Sequence, residues 1–240
     1  MQAGKRVTYI TLHKSLQYHY HTIALKMFMS LEDTLQHIPV LQDDIDSVEK
    51  PYGWLTDTAI RHLTYDTVFE DSQPPSTVNF VDPSWLSGWE QGGFHKPEQD
   101  PSFFLPTPKG IVTGLAIPYN LGNDHWTTIA VDLVSSKAIF FNSFRCEGDT
   151  ARANMVMERF FWEFEEEFDN DTFLFEEADD CPQQVDGSSC GLYTVEILCH
   201  LIQDQSPILY PLSPADKECF REKGTEILKN AATMQPDGSR

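Results

Sequence analysis

The sequence predicts an α+β fold, a central mixed or antiparallel sheet flanked by helices. Three observations carry that expectation. Strand-like apolar runs cluster between residues 111 and 144, apolar residues at helical spacing lie on both sides of them, and a short link joins two of the runs as a hairpin.

In chain order, residues 15–48 are helix-rich, with Leu16, Ile23, Leu25, Met27, Leu31, Leu35 and Ile38 forming a loose apolar face. Residues 1–50 are accordingly read as an N-terminal helical accessory element, and 51–235 as the main domain. Thr56 or Asp57 supplies the N-cap of a helix over 58–63. Residues 71–110, rich in Pro and Gly, read as loops with short pieces at 78–81 and 85–89. Residues 111–118 (IVTGLAIP), 125–132 (HWTTIAVD) and 137–144 (KAIFFNSF) are strands, the last two joined by Leu133-Val134-Ser135-Ser136 and so adjacent and antiparallel. A helix follows over 151–168, then a strand at 173–175, a helix over 191–203 and a last helix over 214–232.

With 240 residues, 40% of them apolar and 12% aromatic, the chain can bury one sizeable core. Its 17 basic and 37 acidic residues give a net charge of −20, which repels nucleic-acid phosphates and anionic membranes and favours a basic or neutral protein partner. No apolar run approaches the ~20 residues of a spanning helix, and the opening MQAGKRVTYITLHK has no signal-peptide core, so a soluble, monomeric protein is expected. Cys146, Cys181, Cys190, Cys199 and Cys219 are odd in number and lack C-x-x-C pairing, against both a disulfide framework and a zinc site. That composition fits a reducing compartment inside a cell, the cytoplasm or nucleus, or a host cytoplasm for a secreted effector. His13, His19 and His21 lack flanking ligands at metal spacing, and neither metal nor cofactor is expected.

Cys190 is the residue with the clearest chemistry. It follows the turn-forming run Asp186-Gly187-Ser188-Ser189 and opens an apolar helix, where unpaired N–H groups and the helix dipole lower a thiol's pKa from about 8.5. Cys199 lies mid-helix on the apolar face and reads as core. A thiolate needs an acid–base partner, and His125 begins a strand just after the loop Asn120–Asp124. For the group orienting His125, Asp132 is excluded by distance: seven residues along an extended strand is roughly 23 Å at about 3.3 Å per residue. Asn142 returns to the histidine on the next strand, and its amide oxygen can fix the ring tautomer.

Four ordered segments, Gly53-Trp54-Leu55-Thr56-Asp57, Ile117-Pro118 leading to His125-Trp126, Phe141-Asn142-Ser143, and Pro182-Gln183-Gln184 leading to Cys190-Gly191, resemble the sentrin-specific and ubiquitin-like-protein peptidases, the clan that includes the adenovirus protease. The resemblance implies a papain-like fold of the adenain type, with the nucleophile at the N-terminus of a buried helix and residues 51–235 as the catalytic domain. It further implies that Cys190 attacks after the modifier's terminal diglycine, that His125 is acid and base, and that Gln184 with the Cys190 N–H stabilises the oxyanion. Gln183 is the near rival, and the six-residue spacing to the cysteine favours Gln184. Trp54 and Trp126 would close a tunnel over the diglycine, Asp57 would pair with a basic group of the modifier, and Gly191 joins them on the substrate side.

Two departures stand out. The family usually has Asp at Asn142 and Asp immediately before the nucleophile, where this chain has Ser189. Cys-His-Asn nevertheless works in papain-like enzymes. The expected activity is a thiol isopeptidase acting on ubiquitin or a relative such as SUMO. A solvated helix face and loop is the favoured reading of the ten acidic residues between Glu163 and Asp180; read instead as a docking surface, they favour ubiquitin, whose tail carries arginines. A clan-related acetyltransferase and a catalytically weak modifier-binding module are the alternatives. The first needs basic surface for a phosphorylated cofactor, and the second is motivated by Asn142 and Ser189.

Overall fold

The computed structural model describes residues 39–69, 77–90, 113–163, 174–203 and 210–234. Within them the helices are α1 (Gln42–Glu49), α2 (Asp57–Phe69), α3 (Pro83–Glu90), α4 (Asp149–Glu163), α5 (Cys190–Ile202) and α6 (Pro214–Met234). The strands are β1 (Val78–Phe80), β2 (Gly114–Leu121), β3 (His125–Asp132), β4 (Lys137–Phe141) and β5 (Leu174–Glu177), and they form one sheet in that order. The central pairs β2–β3 and β3–β4 are antiparallel, while β1 and β5 add in parallel at the two edges, so the sheet is mixed.

Alternation along the strands divides the core into two layers. Leu115, Ile117, Tyr119, Ile129, Val131 and Phe140 pack under Trp85 of α3 and Phe160 and Phe161 of α4. On the other face Ala116 and Trp126 meet Ile60 and Leu63 of α2, Leu192, Val195 and Leu198 of α5, and Leu228 of α6. Helix α5 is buried along nearly its whole length, as an all-round apolar sequence requires. No helix among the described residues is long and apolar enough to cross a membrane.

The predicted strand at 111–118 runs on to Leu121; its first two residues lie outside the described ones. Pro118 does not stop it, because β1 pairs with β2 only as far as Ala116 and the proline lies beyond that pairing. Thr56 is the N-cap of α2, accepting from the Ala59 N–H at 3.1 Å while donating to Asp44 at 2.6 Å, and the helix extends past 63 to Phe69. Asp132 accepts from the Val134 and Ser135 N–H groups at 2.8 and 3.1 Å, which ties it to the β3–β4 turn at the far end from His125.

The expected boundary at residue 50 does not separate α1 from the main domain. Ile45 and Val48 belong to the α2–α5–α6 core, and Arg221 of α6 donates to the Ser47 and Val48 carbonyls at 3.2 and 3.0 Å. The remainder of the expected N-terminal helix, residues 15–38, and the three N-terminal histidines lie outside the described residues, as do 91–110 and 164–168.

Candidate active site

The β2–β3 connection is residues 122–124, where Gly122 and Asn123 take φ of 71° and 64°. Glycine and asparagine enter that left-handed region at least cost, and the hairpin turn delivers His125 as the first residue of β3. Register pairs Thr128 with Phe141, which brings Asn142 level with the start of β3. His125 Nε2 and Asn142 Oδ1 are 2.7 Å apart. With Nε2 donating to the amide oxygen, Nδ1 is the ring nitrogen left to serve a thiol. The same Oδ1 accepts from the Phe144 N–H at 3.0 Å, and Asn142 is buried.

Cys190 opens α5. At the N-cap position Ser189 turns its hydroxyl to Asp186 at 2.8 Å and leaves the helix without a side-chain cap. The backbone N–H groups of Cys190 and Gly191 therefore act on the sulfur and favour its thiolate. So does the backbone N–H of Trp126, which places the sulfur beside the residue that follows His125.

One expectation needs correction. In this structure burial pushes the Cys190 thiol up from its ordinary value, and the three N–H groups offset that only in part. The cause is packing: Cys190 shares an apolar cluster with Leu55, Trp126 and Leu192, so the dipole and the desolvation arrive together. Cys181 and Cys199 are pushed up to about 12 by burial and are inert by comparison, while Cys146 and Cys219 are exposed.

The segment before Cys190 is hydrogen-bonded to the end of β4. Gln184 N–H donates to the Ser143 carbonyl at 2.7 Å, and Gln183 Nε2 donates to the Asn142 and Cys181 carbonyls at 2.8 and 3.0 Å. Both amide protons of Gln183 are thus occupied, whereas among the described residues Gln184 Nε2 donates only to the Asp186 carbonyl, at 2.6 Å. The two glutamines thus differ in their hydrogen bonds as well as in their spacing to Cys190. Asp186 organises the loop as well, accepting from the Ser188 N–H and from Lys217. Burial raises its carboxyl, but hydrogen bonds from Lys217, the Ser188 N–H and Ser189 outweigh that and hold it well below the usual carboxylate range. Ser189, where the family usually has Asp, is thus itself hydrogen-bonded to a carboxylate three residues earlier.

Trp54 is half exposed, whereas Trp126 is buried and donates its indole N–H to the Leu55 carbonyl at 2.7 Å. Trp126 therefore supports the Trp54 segment from below. Arg221 holds the same segment from its other side, donating to the Gly53 carbonyl at 3.0 Å. Gly191 has a packing reason for being glycine: a Cβ there would meet Leu55 Cγ at 2.8 Å. Asp57, partly buried at the start of α2, has its carboxyl raised by burial and then by Asp82, against a lowering by Arg61.

Asp149, Asp186 and Arg221 were not among the residues expected at the site. Among the described residues no cluster of His, Cys, Asp and Glu has the arrangement of a metal site.

The decisive comparison is with protein-family models, where residues 112–230 match the C-terminal catalytic domain of the Ulp1 protease family. The chain is a cysteine peptidase of the Ulp1 protease family. Solved relatives have the same fold. The Ulp1 SUMO protease with its catalytic cysteine oxidised to a sulfenic acid is 19% identical, with a TM-score of 0.57 over 79% of this chain and 83% of that one. The C-terminal Ulp1 protease domain in complex with Smt3, the yeast ortholog of SUMO, gives 19% and 0.57 over 79% and 82%. The Ulp1-like SUMO protease catalytic domain of Chaetomium thermophilum gives 16% and 0.51 over 75% and 74%. No curated protein sequence matches the chain significantly. The acetyltransferase and binding-module alternatives give way to the peptidase assignment.

Proposed function

We propose that this Ulp1-family peptidase removes a SUMO-type modifier from its conjugates, with Cys190 as nucleophile. The observation that carries the assignment of residues is the meeting of three elements. The uncapped start of α5 brings Cys190 to the N–H of Trp126, the residue that follows His125 in β3, and Asn142 holds the Nε2 of that histidine. In this reading His125 Nδ1 takes the thiol proton as the sulfur attacks the carbonyl after the modifier's terminal glycine. The oxyanion receives the Cys190 N–H and the remaining Gln184 Nε2 proton, a contribution of about 2.7 to 4 kcal/mol per donor. The protonated imidazole passes its proton to the departing lysine amine. His125 then deprotonates a water that hydrolyses the thioester and frees the modifier.

SUMO replaces ubiquitin as the favoured modifier for two reasons. The solved relatives of matching fold are SUMO proteases, one of them bound to a SUMO ortholog. The acidic stretch that favoured ubiquitin is also partly neutralised within the protein: Glu176 pairs with Lys137 and Glu177 with Arg145, both at 2.6 Å. Trp54 and Trp126 are read as the wall over the diglycine and Asp57 as a contact for a basic group of the modifier. The test is turnover of SUMO and ubiquitin fluorogenic conjugates side by side. Faster SUMO cleavage is expected, and cleavage of ubiquitin with SUMO left intact would reverse the choice.

A further inference from the structure

We infer that Asp149 is a positioning residue of this site, acting through Asn142 to keep His125 in the tautomer that can accept the Cys190 proton; the inference rests on the peptidase residues assigned above. Asn142 Nδ2 donates to Asp149 Oδ2 at 3.0 Å while Asn142 Oδ1 faces His125 Nε2 at 2.7 Å. Asp149 is the first residue of α4, and the same Oδ2 accepts the Cys146 N–H at 3.0 Å, so the loop from β4 to α4 closes on its carboxylate.

The need for such a group follows from the asparagine. A carboxylate at position 142 would present an acceptor to the imidazole whichever way it turned. An amide presents an acceptor one way and a donor the other, and the two shapes are nearly identical. With Oδ1 toward the ring, Nε2 carries the hydrogen and Nδ1 is the base. With the amide reversed, Nε2 must accept, the hydrogen moves to Nδ1, and the nitrogen assigned to the thiol can no longer take a proton. Two contacts oppose that reversal. The Phe144 N–H would then meet the NH₂ group, donor against donor, and Asp149 would meet the amide oxygen, acceptor against acceptor. Only Asp149 brings a full charge to the choice, and its carboxylate also polarises the amide oxygen toward the imidazole.

The test uses Asp149→Ala and the exchange variant N142D/D149N in the full chain, with kinetics, ¹⁵N spectra of the His125 ring and thermal unfolding. Asp149→Ala is expected to lower kcat by about ten- to a hundredfold, by analogy with the loss seen when a group that orients a metal-ligating histidine is removed, with KM within about twofold. The ¹⁵N signals should pass from one Nε2–H tautomer in the wild type to a mixture in the variant. The exchange variant, with a carboxylate against the ring, should recover most of the lost rate and the single tautomer. Wild-type kcat and tautomer in Asp149→Ala would overturn the inference, as would a rate that falls only with the folded fraction. Should Asp149→Ala not fold, the exchange variant decides, and a slow exchange variant with mixed tautomers overturns the inference. A wild type that cleaves no ubiquitin-like substrate would instead refute the peptidase residues, while the ring spectra would still report on Asp149.

Discussion

Replacing Gly191 by alanine probes the contact that presses the start of α5 onto the Trp54 segment. The added Cβ would lie 2.8 Å from Leu55 Cγ, 2.9 Å from its Cβ and 3.0 Å from its Cδ1, all inside the separation real methyl groups keep. Leu55 is buried, and its carbonyl accepts the Trp126 indole at 2.7 Å, so it cannot move without lengthening that bond or shifting Trp54. Overpacking of this kind costs about 1 to 3 kcal/mol. At about 2 kcal/mol, a chain of this size should unfold about 4 to 8 °C lower. Turnover should fall with it, because the same displacement opens the proposed wall over the substrate tail. Leu55→Ala removes the atoms in the way, apart from the Cβ, at its own cavity cost, so Gly191→Ala should cost less in that background, a coupling that a double-mutant cycle measures. The assays are thermal unfolding and SUMO-conjugate turnover of the four proteins in the cycle. A Gly191→Ala variant that unfolds within about 1 °C of wild type and turns over normally would refute the packing role, as would strict additivity.

Three further outcomes follow from the same geometry. Arg221→Met leaves the Ser47, Val48 and Gly53 carbonyls without their cation, and we expect a loss of about 3 kcal/mol in urea unfolding together with slower turnover. The Asp186 carboxyl is held low in the folded protein, so its contribution to stability is present above the unfolded value of about 3.9 and is lost as pH falls toward the folded one. The gap in unfolding midpoint between wild type and Asp186→Asn should therefore hold steady from pH 8 to 5 and shrink from about pH 4 downward. Burial raises the Cys190 thiol, so in His125→Ala its alkylation by iodoacetamide should be slow at pH 7 and rise about tenfold per pH unit above it; a flat profile would contradict the burial effect.

Much of the candidate site's geometry was legible in the sequence because each signal was local or depended on strand geometry. The turn before Cys190 marked a helix start, and the link at 133–136 fixed a hairpin whose register returns Asn142 to His125 while carrying Asp132 away. Other features depend on contacts between residues far apart in sequence. Arg221 reaches α1 across more than 160 residues, and nothing in its own helix announces that. Helix α1 looked like part of an accessory element because its partners, Leu63 and Leu228, lie in later helices. The thiol's direction was misjudged because a dipole is read from a helix start, whereas desolvation depends on what packs around it, here Leu55 and Trp126. Asp149 followed a plain loop–helix signal, and only the folded chain puts it against Asn142. The pairing of Glu176 and Glu177 with Lys137 and Arg145 was hidden for a related reason, since it comes from strand neighbours and loop return.

The most direct measurement is intact-mass and peptide mapping after exposure to a SUMO tail ending in a thiol-reactive propargylamide. The account predicts one adduct, on Cys190, formed at neutral pH by the wild type and much more slowly by His125→Ala. An adduct on Cys146 or Cys219 with Cys190 unmodified, or no loss of labelling when His125 is removed, would contradict it.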